Sequence, residues 1–322
     1  MISDRTFVDA FSPKKLELIL LPTEKCNFRC TYCYEDFIVG KMKSEVISGV
    51  KELIRRRAPS LSVLVLAWFG GEPLLATDVC LDIGGFAYNI CKKLGVKFQG
   101  SFTTNAYRLN SELFESFLSI NHNFYQITLD GDKEWHDRTR LLANKRGTFD
   151  VIWGNLISYR EVKNDYHISL RLHVHKDNIE SLKRLYSMLT RELLGDKRFS
   201  FYFHKVSNLN QKGDIPQTTV TTKQYIEALK YITGEDQYSA VPAELNLSDH
   251  ICYAAKPNSL VIRSDGTLNK CTVALSDERN NVGRILADGT LEVNNPKMRR
   301  WFEGYRDLNE RTLGCPLATL AR

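Results

Sequence analysis

Short runs rich in β-branched and aromatic residues alternate with longer stretches of helical periodicity through the first two-thirds of the chain. The runs at 16–21, 62–69, 97–103, 125–129, 167–174 and 199–206 predict six strands. Between them, 44–57, 78–94, 111–120, 148–162 and 179–194 repeat apolar residues at helical spacing. Ser44, Asp78, Ser111 and Thr148 stand where N-caps are expected. Strand, helix, strand in this order predicts βαβ units and a parallel sheet. The expected fold class is α/β, a partial (β/α)6 TIM-like barrel, whose chemistry would gather at the C-terminal ends of its strands.

From Asn208 to Ser248 the pattern loosens, apart from one predicted helix at 225–233. After Cys252 the texture changes to short strands, and Asp265-Gly266 and Asp288-Gly289 are hairpin signals. These shifts divide the chain into a barrel core at 1–207, a linker with one helix at 208–248, and a small β-rich, cysteine-bearing module at 249–322.

Composition changes this picture only by exclusion. With 322 residues, 43% of them hydrophobic and 25% charged, the chain can bury a large core, which argues against wholesale disorder. The longest apolar run, 61–69, is strand-sized, so no membrane span is expected. The N-terminus carries no secretory h-region, which points to a cytoplasmic protein. A net charge of +6 from scattered lysines and arginines gives no basic stripe, so no nucleic-acid partner is expected.

Eight cysteines carry the chemical information. In a reducing compartment, clustered cysteines read as metal ligands or catalytic thiols rather than disulfides. Cys26, Cys30 and Cys33 follow the first predicted strand in one tight loop. Three thiolates can hold a [4Fe–4S] cluster and leave one iron open to a substrate, whereas four would suit electron transfer. A zinc site with a remote fourth ligand is the competing assignment. The three-residue gap, the aromatic Tyr32 before the last cysteine, and the position at a strand end favour the cluster.

This loop resembles the signature of the radical S-adenosylmethionine (AdoMet) superfamily. Gly70-Gly71-Glu72-Pro73, closing the second strand, is similar to that family's GGE segment, and Thr103-Thr104-Asn105 resembles its TNG motif with Ala106 in place of glycine. Leu129-Asp130-Gly131, followed by His136-Asp137 and Arg140, resembles a stretch of the peptide-modifying members, with Thr128 where they have serine. The resemblance implies a cluster on Cys26, Cys30 and Cys33 that chelates AdoMet and cleaves it reductively to a 5′-deoxyadenosyl radical. It further implies that Tyr32 packs near the adenine, that Gly70, Gly71, Glu72 and Pro73 meet the methionine amino group, and that Thr128 and Asp130 lie near the ribose. Thr104 and Asn105 complete the cofactor set, and Arg171 is expected near the AdoMet carboxylate.

A second set, Cys252, Cys271 and Cys315, has Gly266 placed to aim Cys271 back at Cys252 through a hairpin. It resembles the SPASM or twitch auxiliary-cluster modules and implies a second Fe–S cluster, [4Fe–4S] in type. The pattern departs at the end, where Ala318 replaces a cysteine and the chain stops at Arg322. Two readings stay open, a three-cysteine auxiliary cluster with an open iron, or a chain cut or altered there. Cys80 and Cys91 stand alone within the helix after the second strand and are expected to be core residues.

The implied activity is maturation of a ribosomally made precursor peptide by a C–C or thioether cross-link. Oxidation of a residue in a folded protein, dehydrogenation of a small alcohol, and a non-catalytic Fe–S or zinc protein are the alternatives. The implied electron donor is a flavodoxin or ferredoxin. Too few residues precede the first strand for a fused leader-binding domain, so a separate leader-binding protein or direct groove recognition is expected. Asp214, Glu244, His204 and Asp249 are candidate bases that the sequence does not rank.

Overall fold

The computed structural model describes residues 2–206, 219–234 and 249–320. Its strands in chain order are β1 (Lys15–Leu20), β2 (Phe28–Cys30), β3 (Val63–Trp68), β4 (Lys97–Thr104), β5 (His122–Leu129), β6 (Arg140–Leu142), β7 (His167–Val174), β8 (Phe199–Lys205), β9 (Ser259–Ile262), β10 (Thr267–Asn269), β11 (Gly283–Ile285) and β12 (Leu291–Val293). All six strands expected in the barrel are present, pairing in parallel as β1, β3, β4, β5, β7 and β8. The fold is α/β, a partial barrel with a β-rich C-terminal region.

Alternation builds this sheet. In β3, Leu64, Leu66 and Trp68 are buried in the core with Leu16, Leu18 and Leu20 of β1. On the other face of β1, Ile19 and Leu21 pack with Val261 of β9. The helices Ser44–Arg57, Thr77–Leu94, Ser111–Ser119, Phe149–Tyr159 and Ile179–Glu192 supply the crossovers. Their starts differ from the expected caps. Ser44 and Ser111 lie inside their helices, and Asn110 rather than Ser111 caps by accepting from Leu113 N at 3.0 Å. Ala76 rather than Asp78 occupies the N-cap of Thr77–Leu94. Thr148 does sit at an N-cap, but its hydroxyl donates to Arg140 O (2.6 Å). Asp137 caps that helix from outside, its Oδ1 accepting from Thr148 N at 2.7 Å and Phe149 N at 2.9 Å.

The segment Pro73–Leu94 also corrects the membrane argument, since its length and composition would let it cross a bilayer. In the fold its Val79, Cys80, Ile83, Ala87 and Cys91 are buried in the protein core. Apolar length here reflects a core-facing helix between β3 and β4, buried along one stripe and exposed at Leu81, Asp82, Lys92 and Lys93.

The C-terminal strands join the barrel sheet. β9 pairs in parallel with the free edge of β1, Glu17 opposite Ser259, and β10, β11 and β12 follow antiparallel, giving a ten-stranded sheet. The two expected hairpins are present, with Gly266 and Gly289 at positive φ of 88° and 81°. The helix expected at 225–233 runs Thr222–Thr233 behind a Thr221–Gln224 capping box. The boundary at Asn208, most of the linker, Asp214 and Glu244 lie outside the described residues.

Candidate functional site

The loop after β1 is held against the strand ends by backbone contact. Gly70 has φ +110°, and a Cβ there would sit 2.4 Å from Thr23 O. At Gly71 a Cβ would lie 2.5 Å from Lys25 O, and Glu72 N donates to the same carbonyl at 2.9 Å. The glycines are therefore needed for close approach as well as for the turn.

Glu72 is buried, 1% exposed, and both its oxygens are engaged. Oε1 accepts from Leu74 N (3.0 Å) and Thr104 Oγ1 (2.7 Å), and Oε2 accepts from Asn105 N (2.7 Å). Burial pushes its carboxyl up, against these donors. Glu72, for which contact with the methionine amino group is implied, is thus placed with its carboxylate on the turn, next to but not among the residues lining the cavity. Asn105 in turn donates from Nδ2 to Asn27 Oδ1 at 2.9 Å, tying β4 to the cysteine loop. Ala106, where the resembled motif has glycine, takes φ +58°.

A cavity of about 160 Å³ opens at these strand ends. Cys26, Cys30, Cys33 and Tyr32 line it with Gly70, Gly71, Thr104, Asn105, Thr128 and Arg171. Three of the sequence-assigned residues, Glu72, Pro73 and Asp130, are buried behind the wall. Phe28, Tyr34, Glu35, Arg140, His173, His204 and Val206 also line the cavity. Of the candidate bases, His204 is thus at the site, while Asp249 accepts from Ser3 N (2.6 Å) beside the N-terminal helix Asp4–Phe11 and is not part of the wall. The strand-end rule already marks His173 and His204, which face each other across β7 and β8 near their C-termini.

Asp130 is fully buried. It accepts from Tyr32 Oη (2.9 Å) and Thr139 Oγ1 (2.6 Å), and His173 Nδ1 lies 3.2 Å away. Burial works against its charge, but His173 and Arg140 hold the carboxyl below its usual range. Arg140 Nη1 donates to Tyr32 Oη at 2.8 Å, and β6 sets Arg140 directly opposite Cys30 of β2. The Tyr32 hydroxyl thus bridges a buried acid and a buried base, and its ring meets His173 edge-on at 5.0 Å.

The donor set fits an iron–sulfur cluster. All three cysteines are free thiols on one wall, and Phe28 N donates to Cys26 Sγ at 3.3 Å, as an anionic sulfur requires. Burial pushes the thiols up, Cys33 to about 12, so ligand binding must displace protons. Among the described residues, no group of three or more His, Cys, Asp or Glu converges on a point able to hold a single metal ion.

In the C-terminal region Cys252 N donates to Leu313 O (2.9 Å), drawing the first and last cysteines of the second set together. The charges of Cys252, Cys271 and Cys315 act on one another, and burial pushes Cys252 up to about 11. Val273 N donates to Cys271 Sγ at 3.4 Å. Lys270, beside Cys271, is 1% exposed and pushed down to about 7 by burial. Cys80 and Cys91 are fully buried in the core, as expected.

A second, larger cavity of about 1020 Å³ lies between residues 34–39 and the C-terminal strands. Tyr34 and Glu35 line both cavities. Glu35 Oε2 is buried and has no hydrogen-bond partner among the described residues, and burial pushes its carboxyl up to about 8. Nothing in the periodicity signals Tyr34 and Glu35; their adjacency to Cys33 is the one usable clue.

Comparison with known proteins agrees with this geometry. A cysteine-type anaerobic sulfatase-maturating enzyme of Clostridium novyi is 28% identical over 222 residues, 66% of this chain and 57% of that protein. An Fe-coproporphyrin III synthase of Methanosarcina barkeri is 20% identical over 240 residues, 74% of this chain and again 57% of the relative. The chain thus spans little more than half the length of these relatives. In fold it is similar to native anSMEcpe with bound AdoMet and Kp18Cys peptide, with TM-score 0.67, 21% identity, and coverage of 90% of this chain and 84% of that one. Streptococcus suis SuiB bound to precursor peptide SuiA gives TM-score 0.56 at 18% identity, covering 97% and 71%. The Radical SAM superfamily itself matches residues 20–189, from the end of β1 to the last crossover helix, and to that superfamily this chain belongs.

Proposed function

We propose that this chain abstracts a hydrogen atom from a residue of a ribosomally made precursor peptide and directs the product to a C–C or thioether cross-link. When bound, the cluster and AdoMet supply one-electron cleavage of the sulfonium and a 5′-deoxyadenosyl radical. Cys26, Cys30 and Cys33 hold the cluster. Gly70, Gly71, Thr104, Asn105, Thr128 and Arg171 form the AdoMet cradle with the Tyr32 ring, and Glu72, Pro73 and Asp130 support it from behind. Cys252, Cys271 and Cys315 hold an auxiliary cluster. A flavodoxin or ferredoxin delivers the electron, and the peptide reaches the site either from a separate leader-binding protein or by direct recognition in the groove.

The observation that carries this reading is that Tyr34 and Glu35 line both cavities, which places the larger one beside the cysteine loop. The smaller one lies at the thiols, and the larger one has room for several residues of extended chain. Likeness to sulfatase-maturating enzymes favours a second reading, oxidation of a single residue in a protein segment. Both reactions remove two hydrogen atoms, so mass alone does not separate them.

The test is anaerobic incubation of reconstituted protein with AdoMet, reductant and a peptide encoded beside it. Deoxyadenosine together with a peptide two hydrogens lighter is expected, and tandem fragmentation that skips a ring of residues identifies the cross-link. Fragmentation between every residue pair selects the single-residue oxidation. Deoxyadenosine with no change in the peptide counts against both.

A further inference from the structure

Arg140 is a charge buried without full compensation. It is 7% exposed, lines the smaller cavity, and its Nε has no hydrogen-bond partner among the described residues. Nη1 is spent on Tyr32 Oη at 2.8 Å, and the guanidinium lies 5.6 Å from the centre of the Phe28 ring. The β2–β6 ribbon fixes its position, pairing Phe28 with Leu142, Arg29 with Leu141 and Cys30 with Arg140. Other ionisable groups around it are Asp130, Glu72, Tyr32, Cys33, His136 and His173.

We infer that Arg140 is a positioning residue that sets the reduction potential of the cluster held by Cys26, Cys30 and Cys33. The inference rests on the cluster reading of those cysteines. One electron from a low-potential one-electron donor makes the cluster and its three thiolates one unit more negative, and no proton needs to move. In a buried site that extra charge is stabilised by a fixed cation nearby and opposed by a fixed anion. Arg140, set directly opposite Cys30, therefore favours the reduced form, and the buried Asp130, bonded to the Tyr32 hydroxyl, opposes it.

The test is a redox titration of the reduced-cluster electron paramagnetic resonance signal, on protein whose Cys252, Cys271 and Cys315 are replaced by Ala so that one cluster reports. Arg140→Gln lowers the reduced-to-oxidised ratio at fixed potential at least tenfold, about 59 mV for one electron. Asp130→Asn shifts it the other way. Arg140→Lys, which keeps the charge, stays within threefold of the parent. General loosening of the site would move both neutralised variants in the same direction, so opposite signs are the signature sought. If Arg140→Gln does not load iron, the direction of Asp130→Asn decides. An unchanged potential in an iron-loaded Arg140→Gln or Asp130→Asn variant overturns the inference and leaves the cluster assignment standing. A parent protein without iron overturns both.

Discussion

Replacing Gly71 by Ala should empty the cysteine loop of iron while leaving the barrel folded. The added Cβ would lie 2.5 Å from Lys25 O and 2.7 Å from both Glu24 O and Lys25 C, about 0.9 Å inside the 3.4 Å at which ordinary contact begins. All three atoms are backbone, so no flexible side chain can turn aside. The segment has no slack, because Glu72 N is bonded to Lys25 O at 2.9 Å and Asn105 Nδ2 to Asn27 Oδ1 at 2.9 Å. Relief must come from the loop, which carries Cys26 one residue further on. Overpacking of this kind costs roughly 1–3 kcal/mol, a fraction of what a domain of this size can lose and remain folded. Iron and sulfide per chain after anaerobic reconstitution, read beside a thermal melt, separate the two effects. We expect a melting point a few degrees lower and loss of most of the iron bound at the first cysteine set. Gly85→Ala is the control, since nothing lies within 4 Å of its Cβ in the helix Thr77–Leu94, and it should raise stability by about 0.5–1 kcal/mol with full iron. A Gly71→Ala protein with wild-type iron content and AdoMet affinity would refute the close-approach argument.

Other outcomes follow from the same geometry. Replacing Cys26, Cys30 and Cys33 together by Ala should halve iron and sulfide, leaving the cluster on Cys252, Cys271 and Cys315; retention of all iron would show that the loop holds none. Asp137→Ala removes the acceptor shared by Thr148 N and Phe149 N and should cost about 1–2 kcal/mol in urea unfolding, with Asp137→Asn recovering part of it. His122, His136 and His173 are buried neutral, pushed down to about 4, 4 and 3 by burial, from 6.5 when unfolded. Their depressed values mean the unfolded chain takes up protons first. Stability is therefore fully present above pH 6.5 and falls with acidification until the folded values near 4 are passed. Each adds a slope of up to about 1.4 kcal/mol per pH unit, and urea unfolding at pH 7, 6 and 5 measures the sum. His122→Phe should flatten that slope.

Much of this arrangement could be read from the chain because its signals are local. Each barrel strand carries its own alternation, each crossover its own helical period, and Cys26, Cys30 and Cys33 occupy one turn of loop. The motifs at Gly70, Thr104 and Asp130 close strands whose direction the βαβ pattern already fixes. What the local view misses is direction within a motif. Glu72 and Asp130 sit at the expected strand ends, yet their carboxylates turn inward to Thr104, Asn105, Tyr32 and Thr139 and leave the wall to glycine backbone and to Arg140, His173 and His204.

The larger gap concerns pairings that only the closed fold creates. β2 and β6 are three residues each, too short for a period of two to register, and 110 positions separate Cys30 from Arg140. Their antiparallel register nevertheless decides which charge stands beside the thiol. β9 is hidden for another reason. Its four residues, Ser259 to Ile262, are all buried, so no polar alternation marks the strand that takes the free edge of β1. By occupying that edge it carries the C-terminal strands to the rim of the larger cavity, where Arg263 pairs with Glu24 at 2.6 Å just before the cysteine loop. Glu24 is 4% exposed, so this ion pair joins the two regions in a place where losing Arg263 would strand a buried charge. The strand that sequence periodicity cannot see is thus the one that joins the C-terminal strands to the barrel sheet.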